Sequence, residues 1–286
     1  MQRVIFGTAL AAVWLAVCLP AVPAGRNPEA EAAEALEAVG ATINETTYKH
    51  GDPVDTVAFR WALVPGKPHP TDKDLAALKH LPRLQVLSMA YTKISDRGLE
   101  HVPGLKRLEK LDLLSTPITD AGLDRIKGLT NLSFLRLTRT QITDAGLVHL
   151  KKLTKLCELD LGETAVGDAG LAHLKGLKQL HILRLNQTKI GDAGLVHLQK
   201  LNQLERLNLS NTALTDTGLK RLKGLEKLRF VEVMNTQVTD QGVAELKEAL
   251  PGASIVQKYS KPPQWFRPPF PLSRPSNKWG PFPPGR

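Results

Sequence analysis

Leu132-Ser-Phe-Leu135-Arg-Leu137-Thr-Arg-Thr140-Gln-Ile142-Thr-Asp144-Ala-Gly-Leu147-Val-His-Leu150 is one unit of a pattern that returns every 24 residues. Its Asp recurs as Asp72, Asp96, Asp120, Asp144, Asp168, Asp192, Asp216 and Asp240. Its first Thr column runs Thr92, Thr116, Thr140, Thr164, Thr188, Thr212 and Thr236, and Leu87, Leu111, Leu135, Leu159, Leu183, Leu207 and Val231 keep the same phase. A fixed period of this length marks a chain of stacked supersecondary units, none of which can bury its apolar face alone.

Each part of the unit has a physical reason. Leu132-x-x-Leu135-x-Leu137 ends in alternation with period two, which predicts a short strand with one buried face. Stacked units then lay these strands side by side as a parallel sheet. Asp144 is a good helix N-cap, because its carboxylate can accept unpaired amides of the turn that follows. Leu147, Leu150 and Leu153 recur at a spacing of three and predict a short helix with one apolar stripe. Gly128, Gly176 and Gly224 fall where such helices should end and suit a left-handed C-terminal cap. Glycine after each Asp-Ala is unfavourable inside a helix, so close packing against the neighbouring turn is expected to require it. The Thr column reads as structural, its hydroxyls bonding backbone groups of the adjacent turn. Each unit should bury about six aliphatic side chains, at ~1.5–3 kcal/mol each before entropy.

The units resemble leucine-rich repeats, nearest to the cysteine-containing class that accompanies F-box proteins, whose pattern runs Leu-x-x-Leu-x-Leu-x-x-Cys-x-x-Ile-Thr-Asp-x-Gly-Leu. Here Thr stands for the Cys, and one residue fewer precedes Ile-Thr-Asp. They are also similar to exported bacterial proteins carrying Thr-x-Ile-Thr-Asp-Ala-Gly-Leu. The resemblance covers roughly residues 54–257. It implies an α/β solenoid, a right-handed β-α superhelix with a parallel concave sheet and short convex helices, in about seven to eight repeats of 24 residues. It also implies a non-enzymatic binding or scaffold role. No F-box-like segment is evident, so a ubiquitin-ligase role is not carried over.

The flanks divide the chain further. Met1-Gln2-Arg3, the apolar run Val4 to Leu19 and the small residues before Ala24 read as a signal peptide over 1–24, with cleavage after Ala24. The run is short for a spanning helix, so no transmembrane segment is expected in the mature chain. Residues 25–64 read as an N-terminal cap: an acidic helix over 28–39 closed by Gly40, then strand-like runs 41–49 and 54–62. The repeat domain follows over 65–257. Residues 258–286 contain nine Pro among 29 residues with interspersed Trp and Phe, and read as a disordered proline-rich basic tail. The expected localisation is periplasmic, cell-envelope or secreted.

The net charge of +10 invites a nucleic-acid partner, but its distribution argues otherwise. The tail carries six bases and no acid, whereas residues 27–257 hold 30 Lys or Arg against 28 Asp or Glu. Nucleic acid is therefore not an expected partner. With Cys18 in the leader, Cys157 remains as a single thiol, and disulfides cannot hold the fold. No phosphate-binding loop, dinucleotide fingerprint, His-Glu-x-x-His or Cys-x-x-Cys occurs. His149, His173 and His197 share one repeat position, but successive helices pack about 8–10 Å apart, which places them on a solvated face. No catalytic residue, metal site or cofactor is expected.

Outward strand positions on the concave face are free of core duty, and function is expected there. The middle column reads Arg60, Ser88, Asp112, Arg136, Asp160, Arg184, Asn208 and Glu232, alternating in sign from Asp112 to Arg184. Phe134, Ile182 and Phe230 flank it on one side, and Tyr91, Arg139, Glu163, Gln187 and Asn211 on the other. The strip reads either as a surface ladder satisfying itself, at about 0–1 kcal/mol per exposed pair, or as a recognition strip for a protein or glycan, since aromatic residues and Arg favour binding surfaces. The alternative role is a structural cell-envelope spacer attached through the cationic tail.

Overall fold

The computed structural model describes residues 27–43, 54–59 and 69–258. The leader, Arg60, parts of the two strand-like runs and residues 259–286 of the tail lie outside the described residues. The chain folds as an α/β solenoid around a ten-stranded sheet whose spatial order follows the sequence, β1 to β10. β1 (Ala41–Ile43) pairs antiparallel with β2 (Thr56–Phe59). All later pairs are parallel: β3 (Val86–Ser88), β4 (Lys110–Asp112), β5 (Phe134–Arg136), β6 (Glu158–Asp160), β7 (Ile182–Arg184), β8 (Arg206–Asn208), β9 (Phe230–Glu232) and β10 (Ser254–Val256). The register puts Leu87, Leu111, Leu135, Leu159, Leu183, Leu207 and Val231 in line across the sheet. A one-residue slip would turn the whole row to solvent.

The core is a continuous leucine stack between sheet and convex wall. In the 24-residue unit 132–155 Leu132, Leu135, Leu137, Ile142, Leu147, Leu150 and Leu153 are all completely buried, one more than the pattern suggests. α1 (Pro28–Ala38) covers the N-terminal end. Asn27 caps it by accepting the Glu29 N–H at 3.0 Å, and Ala32, Ala33 and Leu36 are buried on its inner face. It packs against the turn of the first full unit, Asp74–His80, and Glu29 accepts the Val54 N–H at 2.7 Å.

The convex wall is only in part α-helical. After two 3-10 turns at Asp74–His80 and Gly98–His101, α2 (Asp120–Ile126), α3 (Asp168–Leu171), α4 (Asp216–Leu219) and α5 (Asp240–Ala249) alternate with 3-10 turns at Gly146–Lys152, Ala193–His197 and Lys220–Leu222. The reason lies in the Leu147, Leu150, Leu153 spacing. An apolar stripe at every third residue stays on one side of a helix with three residues per turn.

Three local expectations are corrected. Gly128, Gly176 and Gly224 are not left-handed caps, since Gly40 alone among the described glycines has a positive φ. The convex turns instead run out through i−3 bonds, as from the Leu177 N–H to the Leu174 carbonyl at 2.9 Å. The left-handed residues lie at the strand exits and are not glycine: Tyr91, Ser115, Arg139, Glu163, Gln187, Asn211 and Asn235, with φ from 52° to 61°. Each of the first six aims its N–H at the next unit, as Gln187 does toward the Ser210 carbonyl at 2.8 Å.

The Thr column bonds within its own unit. Thr140 Oγ1 donates to the Leu137 carbonyl at 2.6 Å, and its six counterparts do the same three residues back, at 2.6 or 2.7 Å. The Asp column spans units instead. Asp120 Oδ1 accepts the Thr143 N–H at 2.8 Å, and Asp120 Oδ2 accepts the Thr143 hydroxyl at 2.6 Å. The helix N-cap is this second Thr, as where Thr119 accepts the Ala121 N–H at 3.2 Å. Asp is therefore the staple between neighbouring turns and Thr is the cap.

Candidate binding face

Period-two alternation turns residues 134 and 136 of each unit outward while Leu135 stays buried, and the parallel register carries both columns along the concave face. In the middle column an Asp or Asn first serves the backbone. Asp112 accepts the Leu114 N–H at 3.1 Å, Asp160 the Gly162 N–H at 3.0 Å, and Asn208 the Ser210 N–H at 2.9 Å. These bonds pin each acceptor at its strand exit and leave the second oxygen of the two carboxylates facing the cations.

The charges interlock. Arg136 lies between Asp112, at 3.2 Å, and Asp160, at 3.9 Å. Arg184 approaches Asp160 at 3.8 Å and bonds Glu158. Sequence reasoning passed over Glu158 because its column holds Phe134 and Ile182 elsewhere, and only the lateral reach of Arg184 reveals it. Phe134 lies beneath Arg136, 5.4 Å from guanidinium carbon to ring centroid. Asp160 is buried, whereas the Arg136 and Arg184 side chains each remain 33% exposed. Burial raises the Asp112 carboxyl above the usual carboxylate range, and Asp160 reinforces this against the Leu114 N–H and Arg136. The middle of the strip is thus a partly desolvated charge ladder with two half-open cationic faces.

A second row runs along the left-handed strand exits. Arg139 donates to Glu163 at 2.7 Å, and that bond is the main cause holding the guanidinium more strongly protonated than usual. Arg139, Glu163 and Gln187 line one wall of a shallow groove of about 600 Å³ that continues past Ser115 and Thr92. Tyr91 stands at one end, 47% exposed. Phe230 and Glu232 lie at the other end, on β9, with Asn208 on the strand before. From Tyr91 to Phe230 the face crosses six strand steps, about 29 Å at ~4.8 Å each. A single small molecule cannot touch both ends.

Elsewhere the chemistry is sparse. His149 Nδ1 pairs with Asp124 at 3.1 Å, and among the described residues no cluster of three His, Cys, Asp or Glu can hold a metal ion. The Cys157 thiol is half-buried, with Sγ 3.4 Å from the Lys155 carbonyl. Among the described residues no helix is long and apolar enough to cross a membrane.

A family model described as a leucine-rich repeat matches residues 128–151 and 196–223. No curated protein matches the chain. Among solved structures the chain is similar to an internalin (inlF) from Listeria monocytogenes, with a TM-score of 0.51 and 22% identity over 66% of this chain and 58% of that one. An internalin C2 (inlC2) of the same organism aligns at a TM-score of 0.47 and 25% identity, over 64% of this chain and 84% of that one. The chain thus spans a little over half the length of the first internalin, and at that identity the likeness is one of fold.

Proposed function

We propose that this chain, a leucine-rich-repeat protein, is an exported, non-enzymatic scaffold that holds a protein or glycan partner on its concave sheet. The observation that carries the reading is the strip itself: Arg136, set over Phe134, and Arg184 beside it, both half-open and held by carboxylates that fix their positions. Fixed cations beside aromatic surface lose little freedom on binding, which is the property that concentrates affinity in a few residues. The face of about 29 Å between Tyr91 and Phe230 suits a macromolecule. A fold of this class hosts many functions, so the strip and not the repeats supports the role.

The test is capture from an envelope extract by the mature protein and by its Arg136→Glu plus Arg184→Glu variant, with folding checked by circular dichroism. Loss of the captured species in the variant supports the concave face. Undiminished capture removes it from the account.

A further inference from the structure

Seven of the eight connections that lead from the convex turns back to the strands, 79–83, 103–107, 127–131, 151–155, 175–179, 199–203 and 223–227, carry thirteen Lys or Arg and a single acid, Glu226, while the eighth, 247–251, adds only Lys247 and Glu248. All thirteen are exposed. The rest of residues 27–257 holds 17 bases against 27 acids, so the near-neutral body is two oppositely charged parts. The acids include the Asp staples, which lie at the other edge, where the strands leave the sheet. The solenoid therefore has one cationic lateral edge, distinct from the concave strip.

Few of these cations are neutralised at home. Lys127 pairs with Asp124 at 2.7 Å and Lys223 with Glu245 at 3.7 Å. Lys155 and Lys227 instead donate to the neutral amide oxygens of Asn131 and Gln203, at 2.7 and 2.6 Å, and Lys178 to the Lys200 carbonyl at 3.0 Å. Among the described residues Lys151, Lys152 and Lys175 make no ion pair. The potential is felt nearby: His173 is held below the usual imidazole value first by burial and then by Lys151, with Lys175 adding to it against Asp144. Neighbouring loops are closer than about one to two Debye lengths at physiological salt, so their like charges repel in the free protein.

The chemistry of the edge selects among polyanions. Eleven of the thirteen cations are Lys, which act as point charges and not as bidentate forks. The loops hold no Phe, Trp or Tyr on which a base could stack, and their leucines are buried, so nothing is offered to acyl chains. Between the cations stand Thr130, Asn131, Thr154 and Gln179, side chains that exchange hydrogen bonds with sugar hydroxyls. Between the loops 151–155 and 175–179 the surface dips into a depression of about 410 Å³ lined by Thr154, Lys155, Cys157, Gly176, Lys178 and Gln179. A Cβ at Gly176 would meet nothing within 4 Å, so the floor there is open.

We propose that this edge binds a linear acidic polysaccharide along its length, with the depression between residues 151–155 and 175–179 seating one anionic sugar between Lys155 and Lys178. The partner releases the repulsion along the edge as it replaces small counterions, so binding weakens steeply with salt. The experiment uses the full chain and immobilised dextran sulfate, with unsulfated dextran as reference, at about 0.15 M salt. The variant Lys151→Glu plus Lys155→Glu plus Lys178→Glu is compared with Lys73→Glu plus Arg97→Glu plus Lys189→Glu, which carries the same charge change off this edge.

The first variant is expected to lose affinity by about tenfold or more and to flatten the salt dependence, while the second changes it by less than about twofold. Equal losses in the two variants overturn the proposal, because net charge or the tail then suffices. Wild-type affinity in the first variant overturns it as well, as does retention on unsulfated dextran. Tighter binding of duplex DNA or of phosphatidylglycerol vesicles, lost with the first variant, replaces the polysaccharide with that partner.

Discussion

Asp168 Oδ1 lies 2.5 Å from the place a Cβ would occupy on Gly194, one unit further along the chain, while the Asp168 Cα lies 3.1 Å from it. The same oxygen accepts the Gly191 N–H at 2.7 Å. Glycine and aspartate are thus two halves of one joint between units. The glycine lets the backbones close, and the aspartate then reaches across.

Gly194→Ala should therefore destabilise the protein by about 1–3 kcal/mol, because the added methyl displaces backbone as well as a side chain. Gly176→Ala, with open space around its Cβ and no positive φ, should be neutral or slightly stabilising, since alanine loses less backbone freedom on folding. Urea unfolding of the two variants makes the comparison, and equal effects would remove the joint from the account.

Two joints lack their hydroxyl. Gly167 and Gly191 stand where Thr119, Thr143, Thr215 and Thr239 donate to the Asp of the preceding unit. Gly167 is in extended backbone that threonine adopts readily, and a Cβ there meets nothing closer than 3.4 Å. Gly167→Thr and Gly191→Thr should each stabilise by about 1 kcal/mol, through the restored cap and the bond to Asp144 or Asp168. Thermal melts of the single and double variants check the size and the additivity.

Gln187 has a φ of 56° and is exposed, so its conformation opposes its side chain while its N–H is committed to Ser210. Asparagine tolerates this region and β-branched residues do not. Gln187→Asn should raise stability by about 0.5 kcal/mol, and Gln187→Val should lower it by about 1–2 kcal/mol. The ordering of the two melting temperatures decides the matter.

The staple at Asp216 is acid-sensitive. The Thr239 hydroxyl and N–H hold its carboxyl below the usual value of 3.8. A carboxylate lowered in the folded state contributes stability above its unfolded pKa and loses it as pH falls through the folded one. The gap in melting temperature between the wild type and Asp216→Ala should be constant from about pH 7 to 5 and shrink below about pH 4. A gap independent of pH would show that the charge of Asp216 contributes nothing.

The solenoid was legible because each buried column repeats at one spacing, so that a misread in one unit is corrected by six others. The joints were not. Asp followed by a helical turn looks the same whether its carboxylate caps that turn or crosses to the next unit, and only the packing distance between Asp120 and Thr143 separates the two. The left-handed strand exits left little sign either, since only Asn211 and Asn235 of the seven favour that region, whereas Tyr91, Arg139 and Gln187 ordinarily avoid it. On the concave face the alternation from Asp112 to Arg184 could be read, but the part played by Glu158 depends on the lateral reach of Arg184. The cationic edge was hidden in a net charge near zero, because opposite charges on two edges cancel in a count and separate only in space.

The central claim is that the concave face meets the partner. A photo-cross-linking residue at Tyr91 or Phe230, on that face, is compared with one at Val148, which is 39% exposed on the convex wall. The account predicts a discrete adduct from positions 91 and 230 on irradiation in an envelope extract, and none from 148. The same adduct from all three positions, or from 148 alone, would contradict it.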